Sequence, residues 1–257
     1  MAMDWEPQEN GETALSPASE PRLGDPEALT SFIGWLFFSF VIAGLVRAGL
    51  DRGARLAGWE LQDLIRGAIA TLTFHGLILA GIFQLLRKNR LTWSQAFGRW
   101  TEKIGTRTLI GIGWGMVLFV VGRSAMWTWA WFLKLLSIQA HQQEAIVALL
   151  HNPSWELILI LGILSLVVAP VMEELLFRGV LYKAMCETVR PSLALWSTAI
   201  LFSLFHANLL TFGPLVVFGL LQALVYDRWR TLWPVIIGHA TFNLINFLLA
   251  LAQSGSS

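Results

Sequence analysis

Two adjacent carboxylates, Glu173 and Glu174, followed by Arg178, lie in an otherwise apolar run. Two further apolar segments each carry one histidine, His206 and His239, and the second adds Asn243. An ionisable group inside a membrane span costs about 2.5–3.5 kcal/mol on insertion scales, so a set of them marks a functional site. The chemistry open to this set is the activation of water. A carboxylate beside an imidazole can act as general base on a water molecule. Two further donors aimed at a developing oxyanion would stabilise the tetrahedral intermediate of amide hydrolysis. Glu173 and His206 suit the first task, His239 and Asn243 the second. No serine or cysteine accompanies the histidines in a nucleophile motif, and HExxH is absent. Glu173, His206 and His239 could instead ligate Zn²⁺ with water in the fourth position, so on residue types alone both mechanisms stay open.

The elements that must position these residues are membrane spans. Mean hydropathy is +0.60, with 55% hydrophobic and only 14% charged residues, which excludes an ordinary soluble domain. The 13 Trp and 16 Phe suit aromatic belts at membrane interfaces. A net charge of +1 gives no argument for nucleic acid as a partner. The single cysteine, Cys186, rules out an internal disulfide framework and reads as packing. Apolar runs near 31–50, 66–86, 108–133, 155–172 continuing to about 187, 192–210, 212–226 and 231–252 give about seven spans, or eight if a long stretch divides. Pro170 offers a kink in the run 155–187, since it donates no backbone hydrogen bond. The fold class is therefore an all-α, polytopic transmembrane bundle. Residues 1–30, acidic and rich in Pro and Ser, read as a disordered tail, 31–150 as N-terminal transmembrane helices and 151–252 as the core carrying the chemistry.

Basic residues in short loops orient the spans. The segment 87–107 carries Arg87, Lys88, Arg90, Arg99, Lys103 and Arg107, so it reads as cytoplasmic, and the alternation then holds through the second half. It fails at 51–65, which should be external yet holds Arg52 and Arg55. Glu173 and His206 lie about equally far from the turn at Arg190-Pro191. An antiparallel hairpin therefore sets both at one level, roughly 20–25 Å from that turn at 1.5 Å per residue. His239 and Asn243, spaced i, i+4, share one helix face, as do Glu174 and Arg178, which can form an ion pair. Phe202, one turn before His206, reads as a packing residue that orients the imidazole. His75 reads as structural, and His141 and His151 as solvated loop residues.

In order and spacing, Glu173-Glu174-Leu-Leu-Phe-Arg178, Phe202-Ser-Leu-Phe-His206 and His239-Ala-Thr-Phe-Asn243 resemble the EExxxR, FxxxH and HxxxN motifs of the CAAX prenyl protease 2 and bacteriocin-processing (CPBP, or Abi) family of intramembrane proteases. The resemblance covers about 155–250. It implies a helical bundle of typically eight spans, in a bacterial inner membrane, with a catalytic cavity toward the cytoplasm. It also implies a glutamate-activated water, no cofactor, and a membrane-associated peptide or protein as substrate, with Zn²⁺ as the alternative. Two other classes share these features: a non-proteolytic scaffold or immunity protein, and an ion-coupled transporter, against which the lack of a visible internal repeat counts.

Overall fold

The computed structural model describes residues 23–57, 63–99, 103–151 and 153–254. Among them every regular element is helical: α1 (Pro26–Ala57), α2 (Asp63–Lys88), α3 (Trp93–Phe97), α4 (Ile104–Leu135), α5 (Glu144–Leu150), α6 (Trp155–Thr188), α7 (Pro191–Phe205), α8 (Leu209–Trp229) and α9 (Trp233–Ser254). Six of these are long and apolar enough to cross a membrane, and α7 is a shorter apolar helix. The expected polytopic bundle is thus present with seven apolar helices. Neither long run divides, since α4 and α6 each continue as one helix.

The N-terminal boundary needs correction. Helix α1 starts at Pro26, inside the stretch read as a disordered tail; residues 1–22 of that stretch lie outside the described residues. Asp25 followed by Pro26 is a helix-start signal. The Asp25 carboxylate accepts from the Ala28 N–H at 2.8 Å, and Leu23 and Ala28 are buried. Gly24 N–H donates to the Glu187 carboxylate at 2.6 Å, which ties this start to the end of α6.

Helix α6 passes through Pro170 by changing register. Residues Leu164–Val168 form a π-helical segment that ends two residues before the proline, and Leu175–Tyr182 form a second one after Glu174. In the first, the Ala169 N–H bonds the carbonyl of Leu164, five residues back. The next acceptor in that register, Ser165, would need the N–H of residue 170, which proline lacks. Such π segments cluster at functional sites, and here two flank the Glu173-Glu174 pair.

Close helix contact holds the C-terminal half together. Gly111 and Gly115 of α4 face Ile237, Gly238 and Thr241 of α9. A Cβ on Gly111 would fall 2.6 Å from that of Ile237, and one on Gly115 would fall 2.7 Å from the Gly238 carbonyl oxygen. This is the small-xxx-small contact that lets helix backbones approach within a membrane. Gly219 of α8 meets Ala199 of α7 in the same way. The short helix α3, capped by Thr92 and Gln95, presses the fully buried Phe97 against Gly179 of α6.

Candidate active site

Glu174 is fully buried, and its Oε1 accepts three hydrogen bonds. Arg178 Nη1 donates at 3.1 Å, Gln222 Nε2 at 3.1 Å and His239 Nδ1 at 2.8 Å. Arg178, itself buried, also reaches the Gly219 carbonyl at 3.1 Å. Gln222 donates a second bond to the Val235 carbonyl at 2.9 Å and accepts from Trp114 Nε1 at 3.1 Å. One carboxylate thus fastens α6, α8 and α9, and through Gln222 also α4. A buried polar network of this kind holds its members in one arrangement because each bond lost would leave an unpaired group.

Glu173, one residue earlier, points elsewhere. Its Oε2 is buried without a hydrogen-bond partner among the described residues. It lies 3.8 Å from His206 Nε2 and 3.9 Å from His239 Nε2. The two imidazoles are fixed by their other nitrogens. His206 Nδ1 donates to the Phe202 carbonyl at 2.9 Å, and His239 Nδ1 donates to Glu174. A carbonyl or carboxylate oxygen only accepts, so both Nδ1 atoms carry hydrogen and a neutral ring offers a lone pair at Nε2. With both rings neutral, one carboxylate oxygen and two ring nitrogens converge as acceptors; protonation of either ring turns its Nε2 into a donor.

Spacing decides what suits this convergence. Two ligands of a tetrahedral Zn²⁺, each about 2.0–2.2 Å from the ion, lie about 3.4 Å apart. The gaps of 3.8 and 3.9 Å from Glu173 to His206 and His239 are somewhat wider than that spacing. Among the described residues no group of three or more His, Cys, Asp or Glu is arranged to hold a metal ion. A water about 2.8 Å from each of two acceptors spans the same gaps at an angle of about 90°.

Aromatic rings fill the space around the histidines. Phe202, 1% exposed, has its centroid 4.8 Å from that of His206 and 6.3 Å from that of His239. It also stacks on Phe218 at 5.5 Å and lies under the Arg178 guanidinium at 4.8 Å. Phe218 in turn meets His239 edge-on at 4.8 Å. His206 itself closes α7 and is followed by Ala207 at φ +46°, a left-handed turn. That turn is stapled from several sides. Asn208 caps α8 through the Thr211 N–H at 3.1 Å and donates to the His141 carbonyl, while Trp129 Nε1 reaches the Leu209 carbonyl at 2.8 Å.

The fold thus brings Glu173, Glu174, Arg178, Phe202, His206 and His239 together. Asn243 sits one turn beyond His239, where its Nδ2 donates to the Ser165 carbonyl at 2.7 Å. That is the carbonyl for which Pro170 supplies no N–H, so the carboxamide takes the place of the missing backbone donor. One of its two N–H groups is used in this way and the other stays available.

Three residues beside the site were not placed there by the sequence. Gln222 and Phe218 lie on α8, which carries none of the three motifs; a glutamine within an apolar span was the available signal for the first. His75, expected to be structural, lines one cavity with Glu173 and His206 because α2 packs against α6. Sequence periodicity does not say which spans are neighbours.

Fold and site together define a polytopic helical membrane protein with a polar site among its spans. Residues 153–245 match the family described as type II CAAX prenyl endopeptidase Rce1-like, so the segment that carries all three motifs is Rce1-like. Over 89 residues the chain is 27% identical to "Putative membrane peptidase YdiL" of Bacillus subtilis (strain 168), a match covering 35% of this chain and 36% of that protein. The chain therefore spans about a third of the length of this curated relative (36%). No solved structure matches.

Proposed function

We propose that this chain is an intramembrane endopeptidase that hydrolyses a peptide bond of a membrane-associated peptide or protein, using water activated by Glu173 and His206. The observation that carries the reading is the unpartnered Glu173 Oε2 facing two imidazole Nε2 atoms at 3.8 and 3.9 Å. The Rce1-like match and the membrane-peptidase name of the relative support the same class.

In this mechanism a water donates one hydrogen to Glu173 Oε2 and the other to His206 Nε2. Its oxygen attacks the scissile carbonyl carbon as its proton passes to Glu173. The oxyanion accepts from the free N–H of Asn243 and from His239 Nε2. His239 donates there only as an imidazolium, since its Nδ1–H is committed to Glu174. The C–N bond then breaks as the proton on Glu173 transfers to the leaving nitrogen. Glu174, Arg178 and Gln222 touch no substrate and hold His239. The reaction needs no resident metal, and the basic loops favour a cavity that opens to the cytoplasm.

The test is proteomics of chain termini in cells carrying wild-type protein, Glu173→Gln or no copy, with membrane insertion checked for each. New termini that appear with wild type and vanish with Glu173→Gln are expected, because glutamine keeps the shape and loses the base. Wild-type turnover by the glutamine variant on such a substrate would sink the assignment.

A further inference from the structure

Helix α2 lies outside the Rce1-like segment, yet it sends His75 into the wall of the cavity that Glu173 and His206 also line. The cavity measures about 140 Å³. That is close to the size of a cavity that admits a benzene ring, so it has room for about one residue of an extended chain. Elsewhere its walls are apolar, among them Ile78, Met172 and Leu176. His75 is therefore the one polar lining residue that the proposed water chemistry does not use.

Its chemistry is fixed by its own helix. His75 Nδ1 donates to the Thr71 carbonyl at 2.9 Å, because that carbonyl can only accept. The neutral ring then offers a lone pair at Nε2, its far edge. A peptide drawn to Glu173 must straighten locally, since a helical substrate hides its carbonyls in its own hydrogen bonds. Straightening frees backbone N–H groups in a site walled by hydrocarbon, where an unpaired donor is costly. An imidazole lone pair on the wall of the same cavity meets that need. We infer that His75 is a substrate-positioning residue whose Nε2 accepts a hydrogen bond from a backbone N–H of the peptide next to the scissile bond. The inference rests on the proteolytic reading and adds to it a contact from outside the matched segment.

The probe is a synthetic peptide spanning a Glu173-dependent cleavage site found by terminal proteomics, given to purified protein in lipid nanodiscs. His75→Leu and the more space-filling His75→Phe should each raise KM about tenfold, as loss of one buried hydrogen bond does, with kcat within about threefold of wild type. His75→Gln, which offers a carbonyl oxygen, should recover most of the loss. Peptide binding to Glu173→Gln protein, which does not turn over, should weaken by the same factor when His75→Phe is added. An unchanged KM and Kd in both apolar variants overturns the inference while the proteolytic reading stands. A fall in kcat at constant KM overturns it as well, because that marks the chemical step or the packing. If no Glu173-dependent termini exist, the proteolytic reading and this inference fall together.

Discussion

Glu174 Oε1 accepts the Nδ1–H of His239 at 2.8 Å, and this bond decides which nitrogen of the imidazole faces Glu173. The adjacent carboxylates therefore divide the work by direction. Glu173 reaches toward the cavity, and Glu174 reaches into the protein, where Arg178 and Gln222 share the same oxygen. The alternation follows from successive residues of a helix pointing about 100° apart, so that the two side chains leave α6 in different directions.

Replacing Glu174 with glutamine tests this division. The amide can still occupy the space, but it no longer carries the charge that holds Arg178 and a cationic His239. Turnover should fall by at least about 10²-fold, as when the carboxylate behind a catalytic imidazole becomes an amide. Removing one partner of a buried ion pair should also cost roughly 3–5 kcal/mol of stability. Peptide turnover and thermal unfolding in detergent measure the two effects. A Glu174→Gln protein with normal turnover would show that His239 needs no orientation.

Gln222 should behave as a weaker member of the same network. Its carboxamide fills three roles at once, toward Glu174, the Val235 carbonyl and Trp114. Gln222→Leu leaves those groups without their partner and should cost about 1–3 kcal/mol. Gln222→Glu should be worse than Gln222→Leu in both stability and activity, because it sets a second carboxylate against Glu174. Equal behaviour of the two variants, measured by thermal unfolding, would remove Gln222 from the network.

Much of this was legible in the sequence, for reasons particular to membranes. In hydrocarbon a charged residue needs a reason, so Glu173, Glu174, Arg178, His206 and His239 stood out, and the distance of Glu173 and His206 from the Arg190-Pro191 turn set them at one level. The seven apolar helices followed from run length alone. What stayed hidden depends on which helices touch. Gln222 and Phe218 sit on a span without a motif, and His75 lies on α2, whose contact with α6 leaves no periodic trace. The start of α1 at Pro26 was missed because acidic and proline-rich composition outweighed the Asp25-Pro26 cap. The π segments around Pro170 replace a simple kink, a change of register that no local propensity announces.

Metal removal separates the water mechanism from the zinc alternative. Under the proposed water mechanism the reaction should survive dialysis against a strong chelator with turnover within about twofold of the untreated protein, whereas a zinc enzyme would lose it. The check is turnover of a Glu173-dependent peptide alongside metal analysis of the same sample. Loss on chelation with recovery on adding Zn²⁺ would show that the site closes around an ion, and would overturn the water mechanism but not the protease.

Asn243 offers the sharpest separation of structure from chemistry. Its Nδ2 fills the Ser165 carbonyl at 2.7 Å, in place of the N–H that Pro170 lacks. Its remaining N–H is the one assigned to the oxyanion. Asn243→Ala should therefore do two things: lower turnover by roughly 10²–10³-fold, as loss of an oxyanion donor does, and destabilise the protein by about 1–3 kcal/mol through the orphaned carbonyl. Pro170→Ala returns a backbone N–H to the gap. The double variant Pro170→Ala/Asn243→Ala should then recover stability, read by thermal unfolding, without recovering turnover. If turnover returns together with stability, Asn243 serves only as the substitute donor for Ser165, and the oxyanion must be held by His239 without it.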